Sequence, residues 1–409
     1  MAAIPGWNVA LEGRGTCGTP LRYDHLLLET IPPAAGDTCA LVRRLTMPPS
    51  RLYIRVNTLK VDPGEYLDRL REAGLQFERD EEIPEALWAP VEGPLSFPLF
   101  EKRVVADKRA AESVLLGSDL YAPGVVDAKG VERGDRVTVV APNGVPVGSG
   151  VALESWSRIA PLVREARRRR ARLRLGVFVR LDWPKYRAPR VSSLPGFAEG
   201  LVYGQSLPSM YVARLLDPQP GEVIVDLTAS PGGKVGHAAQ LAGPRARIIA
   251  VDRPSKVPRL RETLERLGLT WVEVVGGDSR LAHRLLPGLE GRVDKVILDP
   301  PCTNLGVIPK VEDHKTHRDA RDLARYQFQL ARAAARLLRP GGLLSYSVCT
   351  LTSTEAEAQT ARMVEELGLE PVEPPPWVRR PTRTGFGIRF SPAIHGLTGF
   401  YIALLRKPH

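Results

Sequence analysis

The rhythm of apolar and polar positions changes twice along the chain. From Leu201 onward, short β-branched runs alternate with helix-compatible stretches. Val223–Val225, Ile248–Val251, Val272–Val275, Lys295–Leu298 and Leu343–Ser347 read as buried strands. Ala331 to Leu338 reads as a helix stopped by Pro340-Gly341-Gly342, and Phe400 to Leu405 as a strand that closes the sheet. Such alternation predicts a doubly wound α/β domain over 201–409. Upstream, Arg51 to Asn57 alternates like a half-buried strand, Gly64 to Ala73 reads as a helix ended by Gly74, and Leu75-Gln-Phe77 starts another strand. This is a small α+β region over 1–103, of which the first 50 residues show only a short helix at His25-Leu-Leu-Leu28. Between the two, Asp107 to Leu116 reads as a helix. The segments Gly124–Val126, Asp135–Val140 and Val145–Leu153 read as strands separated by glycine turns. A compact β-rich module with one helix is expected over 104–180, followed by a proline-punctuated connector over 181–200.

Composition narrows the class. The 409 residues carry a formal charge of +11, which draws polyanions and makes nucleic acid the leading partner. No apolar run is long enough to span a bilayer, and no cleavable signal pattern opens the chain. Cys17, Cys39, Cys302 and Cys349 form no C-x-x-C pair, which argues against a zinc ribbon or a disulfide framework and for a reducing cytoplasm. Arg167, Arg168, Arg169 and Arg170 are consecutive. Such a run is either a solvated helix face or a set of phosphate clamps, and the overall charge favours phosphate.

Candidate chemistry gathers at the carboxyl ends of the predicted strands. After Val223–Val225 comes Asp226-Leu-Thr-Ala-Ser-Pro-Gly-Gly-Lys234, a strand–turn–helix transition in which Gly232 and Gly233 allow close backbone approach. It has neither the G-x-G-x-x-G of a dinucleotide site nor a phosphate-loop frame, so S-adenosylmethionine suits it better. Asp252 follows the next strand at the distance where a carboxylate meets a ribose, and Asp278 in Gly276-Gly277-Asp278 stands where adenine would lie. Either aspartate could equally be a helix cap. Asp299-Pro-Pro-Cys302 ends one strand and Cys349 another. A lone free cysteine is usually a small buried hydrophobe, but two at the same sheet edge suggest shared chemistry. Two thiols beside a methyl donor suit cytosine C5 methylation. Thiolate addition at C6 makes C5 enamine-like, and a second thiol can assist release. Lys234 is placed to favour the thiolate.

These motifs resemble the Nol/Nop/Sun (RsmB-like) family of RNA cytosine-5 methyltransferases. The resemblance rests on Arg55-Val-Asn-Thr-Leu-Lys60, Gln205 to Gly221, Asp226 to Lys234, Asp299-Pro-Pro-Cys302, Tyr346-Ser-Val-Cys-Thr350 and Gly399-Phe-Tyr-Ile-Ala403. It implies a Rossmann-like methyltransferase domain with an RRM-like amino-terminal piece. It also implies Cys349 as nucleophile, Cys302 in product release, and Asp299 and Lys234 at the target base. Thr228, Ala229, Ser230, Pro231, Gly232, Gly233, Lys234, Asp252, Asp278 and Asp299 would hold the cofactor. The family's usual Cys-Ala-Ala-Pro-Gly-Gly-Lys is here Thr228-Ala-Ser-Pro-Gly-Gly-Lys234, a change expected to be peripheral. Its Ala-Pro-Cys-Ser-Gly is here Pro300-Pro-Cys-Thr-Asn304, a change beside the target base. Val104 to Gly117 and Leu120 to Val125 resemble the opening of a PUA domain, which implies binding of structured RNA, with Lys108 and the arginine run as contacts. A PUA module inserted near the amino terminus implies the branch that methylates the tRNA cytosine preceding the discriminator base. Ribosomal RNA as target, or a non-catalytic RNA-binding role, are the alternatives. A monomer without metal is expected.

Overall fold

The computed structural model describes residues 15–169 and 175–409, with the backbone alone at Arg169. Its largest sheet has the strand order Glu273–Gly276, Arg247–Asp252, Val223–Asp226, Val293–Leu298, Leu338–Val348, Phe400–Arg406, Ile388–Phe390 and Thr382–Arg383. The first five are parallel, whereas Phe400–Arg406 and the strands beyond it run antiparallel. The chain starts at Val223–Asp226, builds outward on one side, then returns to add Val293–Leu298 on the other. The carboxyl ends of those two strands therefore flank the switch point, where open α/β sheets bind ligands. Val225, Val251, Val296, Leu298 and Leu344 fill the core on one face. The helix His317–Leu337 covers that face. A Thr316–Asp319 capping box starts it, and Ala320, Ala324, Phe328, Ala331 and Ala334 recur along its buried side.

The amino-terminal sheet has the order Val202–Gly204, Arg51–Val56, Ala86–Pro90, Glu78–Arg79, all antiparallel, with the helix Pro63–Glu72 packed on it. One edge is contributed by Val202–Gly204, from beyond the middle module. The chain thus leaves this sheet, builds the module and returns to finish it. The module is a six-stranded sheet around its own core. It holds two helices, Lys108–Leu115 and Trp156–Arg169, where one was expected, and a strand Val177–Pro184 that the proline-rich context concealed. The arginine run thus begins at the end of a helix, and Arg170 lies outside the described residues.

The cysteine expectation needs correction. Cys17 and Cys39 form a disulfide with their Cα atoms 5.3 Å apart. Spacing could not reveal this, because the pairing arises from how the first residues fold onto the α/β domain. Leu21–Tyr23 pairs in parallel with Asp313–Lys315, and Leu21, Leu27, Leu41 and Leu45 share a core with Leu305, Ile308 and Leu351. Only Cys302 and Cys349 are free. Among the described residues no helix is long and apolar enough to cross a membrane. Nor, among them, do three His, Cys, Asp or Glu side chains gather to hold a metal.

Candidate active site

The loop after Val223–Asp226 and the loop after Val293–Leu298 lie side by side, joined where the Asp299 amide donates to Thr228 Oγ1 at 2.8 Å. Thr228 is therefore a strut between two loops, not a peripheral change. Asp299 Oδ2 accepts from Lys234 Nζ at 2.6 Å and Oδ1 from Ser347 Oγ at 2.9 Å, so a helix start and a neighbouring strand fix one carboxylate. Burial pushes the Lys234 pKa down, but Asp299, Cys349 and Asp226 push it up further. Lys234 accordingly stays an ammonium at neutral pH.

Both free cysteines stand at this edge. Val293–Leu298 and Leu338–Val348 are neighbours in the sheet, so the loops that follow them bring Cys302 Sγ within 3.3 Å of Cys349 Sγ. Asn304 Oδ1 accepts from both thiols, at 2.9 Å from Cys349 and 3.4 Å from Cys302. Cys349 is partly exposed and Cys302 is buried. The Cys349 thiol beside it, together with burial, pushes the Cys302 pKa well up. The less exposed sulfur is thus the one held as a thiol.

A cavity of about 210 Å³ opens beside Lys234 and Asp299. Its walls include Thr228, Ala229, Ser230, Pro231 and Gly233 from the turn, with Asp226, Tyr203, Gln205 and Ser209. A Cβ at Gly233 would come within 3.1 Å of Tyr203, and Gly232 has φ +111°, which side chains rarely adopt. Both glycines are required by the turn itself. Gly232, Asp252 and Asp278 do not line the cavity. Asp252 lies just behind it: its Oδ2 accepts from the Ser230 amide at 2.9 Å and its Oδ1 from the Arg253 amide at 2.8 Å. Lys256 Nζ also lies 3.5 Å from Oδ1, so of the roughly four acceptor positions of a carboxylate about one stays open unless Lys256 gives way to a diol. Asp278 is instead held by Arg280, whose Nη2 donates at 2.6 Å. That hydrogen bond keeps the Asp278 pKa below the usual carboxylate range.

Residues matching the family described as 16S rRNA methyltransferase RsmB/F run from 213 to 406. Residues 102–168 match the PUA domain, and 36–93 match the ferredoxin-like domain of RsmF/B-like methyltransferases. A tRNA (cytosine(72)-C(5))-methyltransferase of Pyrococcus horikoshii is 38% identical over 376 residues, 90% of this chain and 92% of that one. The chain belongs to the RsmB/F-type methyltransferases. This family is S-adenosylmethionine-dependent. NSUN6 of Mus musculus, also a tRNA (cytosine(72)-C(5))-methyltransferase, is 32% identical over 82% of this chain and 76% of its own. The crystal structure of NSun6 from Pyrococcus horikoshii with SFG superposes with a TM-score of 0.83 at 36% identity, covering 95% of this chain and 99% of that one.

Several residues of this methyltransferase's site escaped sequence reasoning. Arg55 is fully buried, donates to Gln205 Oε1 and to the Gly233 carbonyl at 2.6 Å, and lies 5.3 Å from the Tyr203 ring. Burial lowers its pKa to about 10, so it stays charged. It ties the ferredoxin-like sheet to the start of the helix Gly233–Ala242. An arginine inside an otherwise apolar strand was the available signal. Asp226 is buried, and desolvation raises its pKa to about 7. Of the expected RNA contacts, Lys108 Nζ pairs with Asp313 at 3.0 Å across the module boundary. Arg167 bonds the Pro123 carbonyl at 3.2 Å, and Arg168 pairs with Glu165 at 3.0 Å; both are substantially exposed.

Proposed function

We propose that this methyltransferase modifies C5 of the acceptor-stem cytosine preceding the discriminator base of tRNA, through a bond between Cys349 and C6. The observation that carries this reading is the pair of thiols 3.3 Å apart beside the Lys234–Asp299 pair at the sheet's carboxyl edge. The cavity fits the cofactor: glycines stand at the close approaches of the turn, the Asp252 carboxylate behind it keeps acceptor capacity for ribose hydroxyls, and the turn itself has no phosphate-loop frame. S-adenosylmethionine supplies an electrophilic methyl there. Thr228 to Lys234 would hold it, Asp252 its ribose. Asp278 would hold its adenine once released from Arg280. Asp299 would contact both cofactor and base.

In this reading the Cys349 sulfur adds to C6, and the electron pair of the C5–C6 double bond moves onto C5. The Lys234 ammonium, oriented by Asp299, stabilises the negative charge that spreads toward N3. After methylation a base removes the C5 proton, and the returning electron pair expels the Cys349 sulfur. Cys302, held as a thiol, stands 3.3 Å away to protonate the departing thiolate. The PUA module, with Arg167, Arg168 and the run continuing through Arg169 and Arg170, grips the acceptor end by its phosphates. Lys108 would join them by giving up Asp313. We infer that the protein acts as a monomer in the cytoplasm, and no step calls on a metal.

Bisulfite mapping of tRNA and ribosomal RNA incubated with the protein tests the target. Conversion-resistant cytosine at the acceptor position is expected, and a signal confined to ribosomal RNA would defeat the proposal. Cys349→Ala is expected to abolish labelled methyl transfer. Cys302→Ala should accumulate a protein–RNA adduct that survives denaturing electrophoresis.

A further inference from the structure

The loop after Cys302 carries an amide where the family's motif ends in glycine. Asn304 adopts φ +56°, a left-handed conformation that asparagine tolerates better than other side chains. It is anchored on both sides: Lys310 Nζ donates to its carbonyl at 3.0 Å, and the next turn is tied to the nucleophile's strand by Gly306 N donating to the Cys349 carbonyl at 3.0 Å. From that position its Oδ1 accepts from Cys349 at 2.9 Å and from Cys302 at 3.4 Å. One acceptor therefore holds both sulfurs.

We propose that Asn304 is a positioning residue for both thiols and follows them through their change of protonation. This rests on the covalent reading above. A carboxamide presents an acceptor on one side and donors on the other, and a half-turn about its last torsion exchanges them. While Cys349 is a thiol, Oδ1 accepts its proton. When the sulfur is a thiolate, before attack or after release, the same side chain turned over donates from Nδ2. Glycine offers neither contact. Aspartate offers only the acceptor and sets a negative charge beside the thiolate. The three residues should therefore rank Asn above Gly above Asp wherever Cys349 must become anionic.

Asn304→Gly suits the backbone, because glycine adopts this φ without strain. Asn304→Asp nearly preserves shape. Alkylation of Cys349 by iodoacetamide is measured by mass spectrometry on the RNA-free protein at pH 8, and kcat and KM for tRNA are measured in parallel. The expected result is a Cys349 alkylation rate and a kcat reduced about threefold to tenfold in Asn304→Gly and about a hundredfold in Asn304→Asp, with KM for tRNA unchanged. Equal alkylation and kcat in Asn304→Gly and the native protein would overturn the proposal. So would a rise in KM with kcat intact, which would make Asn304 an RNA contact. If Cys349→Ala instead retained methyl transfer, the covalent reading would fail by itself. The alkylation ranking, read without RNA, would still judge the positioning of the thiols.

Discussion

Beneath the Thr228–Lys234 turn, Glu85 of the ferredoxin-like region and His237 of the helix Gly233–Ala242 are both fully buried and in hydrogen-bond contact. Arg214 Nε also donates to Glu85, at 2.8 Å. This contact has the geometry of an ion pair, yet burial lowers the His237 pKa to about 4. The ring's other nitrogen resolves the conflict. His237 Nδ1 has no partner. In the neutral Nε2–H tautomer that nitrogen is merely an idle acceptor, whereas in imidazolium it would be a buried N–H with nowhere to donate. Arg55 and Arg214 also oppose a third positive charge there. His237 is neutral in the fold and titrates from its ordinary value in the unfolded chain. Its depressed pKa therefore contributes stability that is complete above pH 6.5 and is lost as pH falls toward 4. Falling from 6.5 to about 4 corresponds to roughly 3 kcal/mol, most of which is gone by pH 4.5. Glu85 has its pKa lowered: burial pushes it up, but the hydrogen bonds from His237 and Arg214 more than offset that. Its own loss sets in around pH 4.5 and grows at lower pH, so the two windows overlap only at their shared edge. His237→Gln keeps a donor for Glu85 and removes the titration. Urea unfolding of both proteins at pH 7.5, 5.5 and 4.5 should show the native protein losing roughly 2 to 3 kcal/mol more than the variant across that range. A difference that stays flat within about 0.5 kcal/mol, or that favours the native protein at low pH, would show that His237 is charged and that the tautomer argument is wrong.

Three further outcomes are expected. Lys234→Met removes the ammonium paired with Asp299 and should lower kcat about a hundredfold or more with RNA affinity intact; unchanged kcat would remove Lys234 from the chemistry. Reducing the Cys17–Cys39 bridge, which closes a loop over a separation of 22 residues, should cost about 3 kcal/mol. Faster proteolysis between residues 15 and 45 reads that loss, and identical cleavage with and without reductant would refute it. Arg167→Ala together with Arg168→Ala should weaken tRNA binding and shallow its salt dependence by about one to two phosphate contacts. An unchanged slope would return the run to a solvated helix face.

What was legible in the sequence was local. A β-branched run ending in a small polar turn marks a strand by its own composition, so Val223–Val225 anticipated the strand Val223–Asp226 and the turn that follows it. Lys108–Leu115 was legible in the periodicity of Ala110, Ala111, Val114 and Leu115, and the structure adds a cap from Asp107, whose side chain accepts from the Ala110 amide at 2.9 Å. By contrast, Val177–Pro184 lies between an arginine run and a proline-rich stretch, and its pairing with Pro146–Ala152 is a tertiary fact. The antiparallel close of the large sheet was equally invisible, because apolar residues in Phe400–Arg406 do not encode direction.

The residues hardest to read share a physical reason. Arg55, His237 and Asn304 each act through partners outside their own element, and each breaks a local rule. Arg55 places a charge in an apolar strand, His237 a titratable ring in an Ala-rich helix, and Asn304 a side chain at positive φ. Such violations persist only where surrounding structure compensates them. Here the compensation converges on one place. Arg55 holds the Gly233 carbonyl, His237 lies one helical turn beyond Lys234, and Asn304 holds the sulfurs whose loops carry Asp299 and Ser347. The ferredoxin-like sheet is thus part of what sets the distance between the Thr228–Lys234 turn and the thiols. A substitution at Arg55 should accordingly reach the chemistry while leaving the site's own side chains unaltered.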